Sequence, residues 1–180
     1  ICSPPVRDQT DSEALWRGIE EKTLDLVSSD HAPYSFDEKG KFFMGNNPSF
    51  KEIPNGMPGL HWRLPIILNE VLKKQCNLDL HDFVRITSTM PAKIYGLYPK
   101  KGEIKIGSDA DITIWNKDKK ITLTDDMVVD GSKYNPYSGF EVSCWPDEVL
   151  LRGHTIVKNN KIMGKQNIGK FLPTKLRDYI

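Results

Sequence analysis

Several features are scarce or missing in this 180-residue chain, and each absence excludes something. Cysteine occurs three times, as Cys2, Cys76 and Cys144, an odd number with no CxxC pair. A disulfide framework and a zinc knuckle are therefore excluded, and scattered thiols fit a reducing, cytoplasmic setting. Charge of one sign is missing too: the formal net charge is +1. That leaves no basic footprint for nucleic acid and no attraction to an anionic membrane. No apolar run approaches the roughly 18 residues of a transmembrane helix, and no charged-then-apolar leader opens the chain. Internal repeats and low-complexity tracts are also absent. Ile1-Cys2-Ser3-Pro4-Pro5-Val6-Arg7 reads as a strand end and a turn, so the chain is expected to be a piece of something longer.

What is present is an ordinary globular composition, 38% apolar and 27% charged. Pro4-Pro5 breaks structure near the start. Asp11-Ser12 offers N-caps for a helix to about Glu21, with Leu15, Trp16 and Ile19 on one face. Leu24–Ser29 reads as a short buried strand, so helix, loop and strand make half of an α/β repeat. Residues 31–59 form a loop rich in Gly, Pro and Asn, and loops of that length in compact domains usually carry function. Helices are expected over Gly59–Lys74, with Pro65 inside, over His81–Ser88, and in a short piece after Pro91 up to Gly96. Beyond Pro99 the period changes. Gly102–Ile106, Asp111–Trp115, Val149–Leu151 and Thr155–Val157 read as strands, and Asn159-Asn160 as a tight turn. The expected boundary between an α/β part and an all-β part lies near residues 97–101.

Within that frame the stretch Ser28-Ser29-Asp30-His31-Ala32-Pro33 raises the first chemical question. A carboxylate directly after a buried strand is more often a helix cap or a turn residue than a metal ligand. His31 follows it, and alternation along a strand points neighbouring side chains to opposite faces. Pro54-Asn55-Gly56 is a strong turn sequence on its own account. Arg7 and Arg63 read as structural cations, and Met57 and Leu60 suit a core and a pocket wall equally. Asp109 and Asp111 flank a turn into a strand. Trp115, Tyr134, Tyr137, Phe140 and Trp145 suit a core or an interface better than a base-stacking platform.

Taken together, LVSSDHAP, IPNGMPGLHWRLPI, MPAKIYGLYPKKGEIKIGSDADITIWN and LLRGHTIV resemble the C-terminal portion of cyclic amidohydrolases, nearest the hydantoinase and dihydropyrimidinase branch. The resemblance runs from Cys2-Ser3-Pro4-Pro5 to Gly169-Lys170-Phe171-Leu172. It implies an α/β fold, the C-terminal part of a metal-dependent (β/α)8 (TIM) barrel followed by the C-terminal part of a β-sandwich. Residues 1–98 would hold the last barrel strand and the closing helices. Residues 99–165 would be sandwich, and residues 166–180 a tail that reaches a neighbouring subunit of a homotetramer.

The same resemblance implies ring opening of a small cyclic amide or imide, a hydantoin or dihydropyrimidine, by a hydroxide between two divalent metal ions, most simply zinc. Asp30 would be a metal ligand and the proton shuttle, and Ser3 and Asn55 would bind substrate, largely through main-chain groups. The remaining ligands, an HxH pair, a carboxylated lysine and two further histidines, have no place in this chain: His31, His61, His81 and His154 form no such set. Alone, the 180 residues are expected to be inactive. Two other outcomes share the resemblance: a dihydroorotase or allantoinase, and a non-catalytic dihydropyrimidinase-like scaffold.

Overall fold

The computed structural model describes residues 1–164 and 167–174 and is a mixed α/β chain with its α-helices before its strands. Helix α1 spans Gln9–Glu20. Its cap is Asp8, not Asp11 or Ser12. The Asp8 carboxylate accepts from the Thr10 and Asp11 N–H groups at 3.0 and 3.2 Å. Asp8 has the extended backbone that a cap requires (φ −83°, ψ −176°), whereas Asp11 lies in the first turn, where its charge faces the positive end of the helix dipole.

Helix α2 spans Leu60–Leu72 and tolerates Pro65 in its interior. Helix α3 (Leu80–Val84), a π-helical turn (Arg85–Thr89) and helix α4 (Met90–Ile94) form one continuous run. Two separate helices were the expectation from Pro91. The wide turn before Pro91 removes the clash its ring would make with a carbonyl four residues back, and the Thr87 hydroxyl bonds back to the Phe83 carbonyl at 2.6 Å. Gly96, at φ +67°, closes the run. Asp79 and Asp82 form a reciprocal capping box at its start. Asp79→Ala is expected to lower the midpoint in urea unfolding, because the first turn loses its cap.

Two expected strands do not form. Residues 24–29 are extended but unladdered: Val27 donates to the Ile86 carbonyl at 3.4 Å, and the nearest pairing is a single parallel bridge between His31 and Met57. A strand requires a neighbouring backbone to satisfy its N–H and C=O groups, and no described segment runs alongside. Residues 102–106 likewise form no strand, with Ile104 and Ile106 exposed at 85% and 103%. Their apolar alternation has no surface among the described residues to pack on.

The strands that form are antiparallel. β1 (Ile112–Asn116), β4 (Trp145–Leu151), β5 (His154–Lys158) and β6 (Lys161–Ile162) make a sheet in the order β1-β4-β5-β6. The connection from β1 to β4 contains a second ribbon, β2 (Ile121–Thr122) with β3 (Glu141–Val142). Both hairpins of the larger sheet turn on paired positive-φ residues: Asn159-Asn160 as expected, and Arg152-Gly153 besides.

Helix α2 joins the two parts. Ile67, Leu68 and Val71 pack with Ile19, Leu78, Phe83, Ile86 and Cys144, while Trp62, 1% exposed, packs with Leu123 and Val142. The buried Asn69 side chain accepts from the Ser143 N–H and hydroxyl at 2.9 and 3.1 Å, which ties α2 to the β3–β4 link. Of the tail expected over residues 166–180, residue 166 and residues 175–180 lie outside the described residues; Phe171 is exposed.

Candidate functional site

Asp30 does not cap a helix, because the segment after it is a loop. It is exposed, and its backbone sits in the left-handed region at φ +43°. L-residues reach that region at a cost, aspartate less than most, and such conformations gather at functional sites. Its carboxylate makes no hydrogen bond and no ion pair among the described residues.

The loop that follows folds back so that three chain segments meet. The Ala32 N–H donates to the Met57 carbonyl at 3.0 Å, and the Gly56 N–H donates to the Ile1 carbonyl at 3.0 Å. Ser3 and Asn55, fifty-two positions apart, are brought together: the Asn55 amide donates to the Ser3 hydroxyl at 3.2 Å. Asp30 lies on the adjacent segment and bonds to neither. Gly56 has φ +110°, and a Cβ there would fall 2.4 Å from the Ala32 Cβ. Only glycine lets the turn lie so close against the residues that follow Asp30.

Most polar main-chain groups of the Pro54-Asn55-Gly56 turn are engaged. Lys41, only 3% exposed, donates to the Pro54 carbonyl at 2.5 Å and to the Gly56 carbonyl at 2.6 Å. Burial pulls its pKa below the ordinary lysine value, partly opposed by Cys2. Gly56 N–H is taken by Ile1, as above. Asn55 alone keeps both its N–H and its C=O without a partner among the described residues. The turn therefore presents one donor and one acceptor on an exposed residue, the complement of an imide edge.

His31 has a structural task. Gly59 has no side chain to cap α2, and the His31 Nδ1 accepts instead from the Gly59 and Leu60 N–H groups at 3.2 and 3.3 Å. Its Nε2 faces Asp130 at 3.6 Å, and His61 Nδ1 lies 3.5 Å from the same oxygen. Burial acts to raise the Asp130 pKa, but hydrogen bonds from Ser132 and the two imidazoles outweigh it, and the carboxyl lies below its ordinary value. Neither Asp130, His61 nor Lys41 carries a signal in the sequence. Their partners are main-chain atoms or distant residues, which no local pattern records.

The other candidates separate plainly. Asp109 pairs with Lys100 at 2.9 Å and with Lys101 at 3.0 Å; Asp111 pairs with Lys101 and accepts from the Arg152 N–H at 2.8 Å. Both acids are committed to the turn. Arg7 is exposed, and Arg63 Nε is buried with no partner among the described residues. Met57 is half-buried and Leu60 exposed. Trp115 packs edge-on to Phe83, and Trp145 lies against Trp62, so both are core residues. An apolar cleft of about 560 Å³ between α2, α3 and β1 is lined by none of Ser3, Asp30 or Asn55. Among the described residues no three of His, Cys, Asp and Glu come together as a metal-binding group.

Comparison with known proteins matches residues 6–156 to the model of the Amidohydrolase family. A D-hydantoinase of Ralstonia pickettii is 36% identical over 179 residues, 99% of this chain and 38% of that protein. Among solved structures, the D-hydantoinase of a Bacillus sp. AR9 is 36% identical with a TM-score of 0.90, over 98% of this chain and 38% of that one. The D-hydantoinase (dihydropyrimidinase) of a Thermus sp. is 34% identical with a TM-score of 0.86, over 94% and 36%. The chain thus spans a little over a third of the length of the relatives it matches.

Proposed function

Because the chain belongs to the amidohydrolase family, we propose that it is the C-terminal part of a metal-dependent hydrolase that opens the rings of hydantoins or dihydropyrimidines. The observation that carries this reading is the Asp30 carboxylate, without a partner among the described residues and held on a left-handed backbone, in a segment that His31 and Ala32 join to Met57, two residues after the Asn55 that bonds to Ser3. In this reading residues 1–98 complete a (β/α)8 barrel, with Asp30 at its catalytic end. Residues 99–165 contribute to a β-sandwich. The order of helices and strands supports that division. The tail from residue 166 serves a homo-oligomer, taken as a tetramer.

Asp30 fits one ligand position of a divalent metal centre: it offers carboxylate oxygens that have no partner among the described residues. His31 does not fit, because its Nδ1 is given to α2. The rest of a zinc pair's ligands, a carboxylated lysine among them, come from elsewhere in the assembled protein. The metals, when bound, polarise the ring carbonyl and make water acidic enough to attack at neutral pH. Asp30 Oδ takes the proton of the attacking water and returns it to the ring nitrogen as the C–N bond breaks. Asn55 N–H and C=O receive the ring's carbonyl and N–H, and Ser3 fixes the Asn55 side chain.

The full-length protein is expected to hydrolyse hydantoin and dihydrouracil, and dihydroorotate and allantoin poorly. Turnover of dihydroorotate or allantoin alone would move it to a neighbouring activity, and no turnover of any of the four would favour a scaffold. Residues 1–180 alone are expected to be inactive, since one carboxylate cannot hold two metal ions; turnover by that chain contradicts the reading.

A further inference from the structure

We propose that Lys41 is a positioning residue for substrate binding: its buried ammonium clamps the carbonyls on either side of Asn55, and so fixes the one residue of the turn whose main-chain groups stay free. The inference rests on the reading that Asn55 meets the substrate. A lysine is rarely this buried unless it is partnered. Its two partners here are the Pro54 and Gly56 oxygens, at 2.5 and 2.6 Å, so they bracket Asn55. Bonds from a charged donor are roughly twice as strong as neutral ones. No carboxylate pairs with this cation among the described residues.

The clamp is itself braced. The Lys41 N–H donates to the Ser35 carbonyl at 2.8 Å, and Gly40 is packed so tightly that a Cβ there would fall 2.1 Å from that same oxygen. Asp37 gathers the Ser35 hydroxyl at 2.5 Å, the Lys39 N–H at 2.9 Å and Lys133 at 3.1 Å. The Tyr34 ring lies 5.4 Å from the ammonium, measured to its centroid. The long loop thus delivers a fixed cation to the underside of the turn. By taking both flanking carbonyls, Lys41 leaves the Asn55 C=O as the acceptor offered to a ring N–H. The ligand class is a cyclic imide or amide edge, one donor beside acceptors.

The test uses the metal-loaded full-length protein, with hydantoin as probe. Lys41→Met, which keeps the length but loses the charge and both bonds, is expected to raise KM about tenfold or more, with kcat changed much less. Lys41→Arg, which keeps a buried cation and donors, should recover part of that loss. Asn55→Pro tests the underlying reading separately, because it deletes the free main-chain donor of the turn and leaves both clamped carbonyls in place. It should raise KM, and the double variant should lose less than the product of the two single effects. If Asn55→Pro raises KM while Lys41→Met does not, or if the two effects multiply fully, the clamp inference is wrong. If Asn55→Pro leaves KM unchanged, the substrate-contact reading fails and takes the inference with it. Should Lys41→Met not fold, faster hydrogen exchange over residues 53–58 in Lys41→Arg supports the clamp; unchanged exchange there refutes it.

Discussion

Asp30→Asn in the full-length protein is expected to lower kcat/KM for hydantoin by roughly 10³-fold or more, about 4 kcal/mol of transition-state stabilisation. The substitution keeps the shape of the side chain. It removes the negative charge that would hold a divalent cation and the oxygen that would carry the proton, so two roles fail together. Stability of the metal-free protein should barely move, because the carboxylate makes no hydrogen bond or ion pair among the described residues. That combination separates the proposed role from a structural one: a turn or cap residue would show the opposite, a fall in stability with activity per folded molecule retained. Full activity in Asp30→Asn would remove the residue from the chemistry.

Gly56→Ala is the second large effect. Two costs coincide at this position. The backbone at φ +110° is a conformation L-residues seldom adopt, worth about 1–3 kcal/mol. The new methyl would also stand 2.4 Å from the Ala32 Cβ, and overpacking of that kind costs typically another 1–3 kcal/mol. Neither neighbour can yield cheaply. Moving the turn pulls on the two carbonyls held by Lys41, and moving Ala32 pulls on Asp30 and His31. Gly107→Ala supplies the control, since Gly107 has a similar φ of +97° with nothing within 4 Å of its Cβ position. The expected result is a loss in Gly56→Ala, by chemical denaturation, that exceeds the loss in Gly107→Ala by about 1–3 kcal/mol, with hydrolysis impaired in Gly56→Ala alone. Equal losses in the two variants would show that the turn is not packed against the Asp30 segment.

The contrast between these two sites shows what the sequence made legible. Asp30 stands out as a candidate because it follows an apolar run and precedes a long loop, both local features, but those features alone favour a cap or turn residue, and the ligand reading comes from the family resemblance. The helices were readable from local features as well: apolar periodicity and the stop at Gly96 act within a few residues. The hairpin at Asn159-Asn160 was readable from two residues that tolerate positive φ. What escaped depends on partners far along the chain. Residues 24–29 and 102–106 carry strand patterns, yet a pattern specifies only a face, and a ladder needs a second backbone. Lys41 escaped because its acceptors are carbonyls thirteen and fifteen residues on, and every residue type has a carbonyl. The Asp130 contacts with His31 and His61 span 99 and 69 positions by residue number, with no signature in any single segment. Pro91 misled for a different reason: a proline usually ends a helix, but the π-helical turn before it made room for the ring.

The most direct test of the account is the metal content of the purified full-length protein, measured by elemental analysis alongside its Asp30→Asn variant. The account predicts about two divalent metal ions per chain in the wild type, zinc foremost, and a clear loss of metal in the variant at unchanged secondary structure. A wild-type protein that opens hydantoin rings with no divalent metal, or a variant that keeps its full metal complement and its activity, would contradict it.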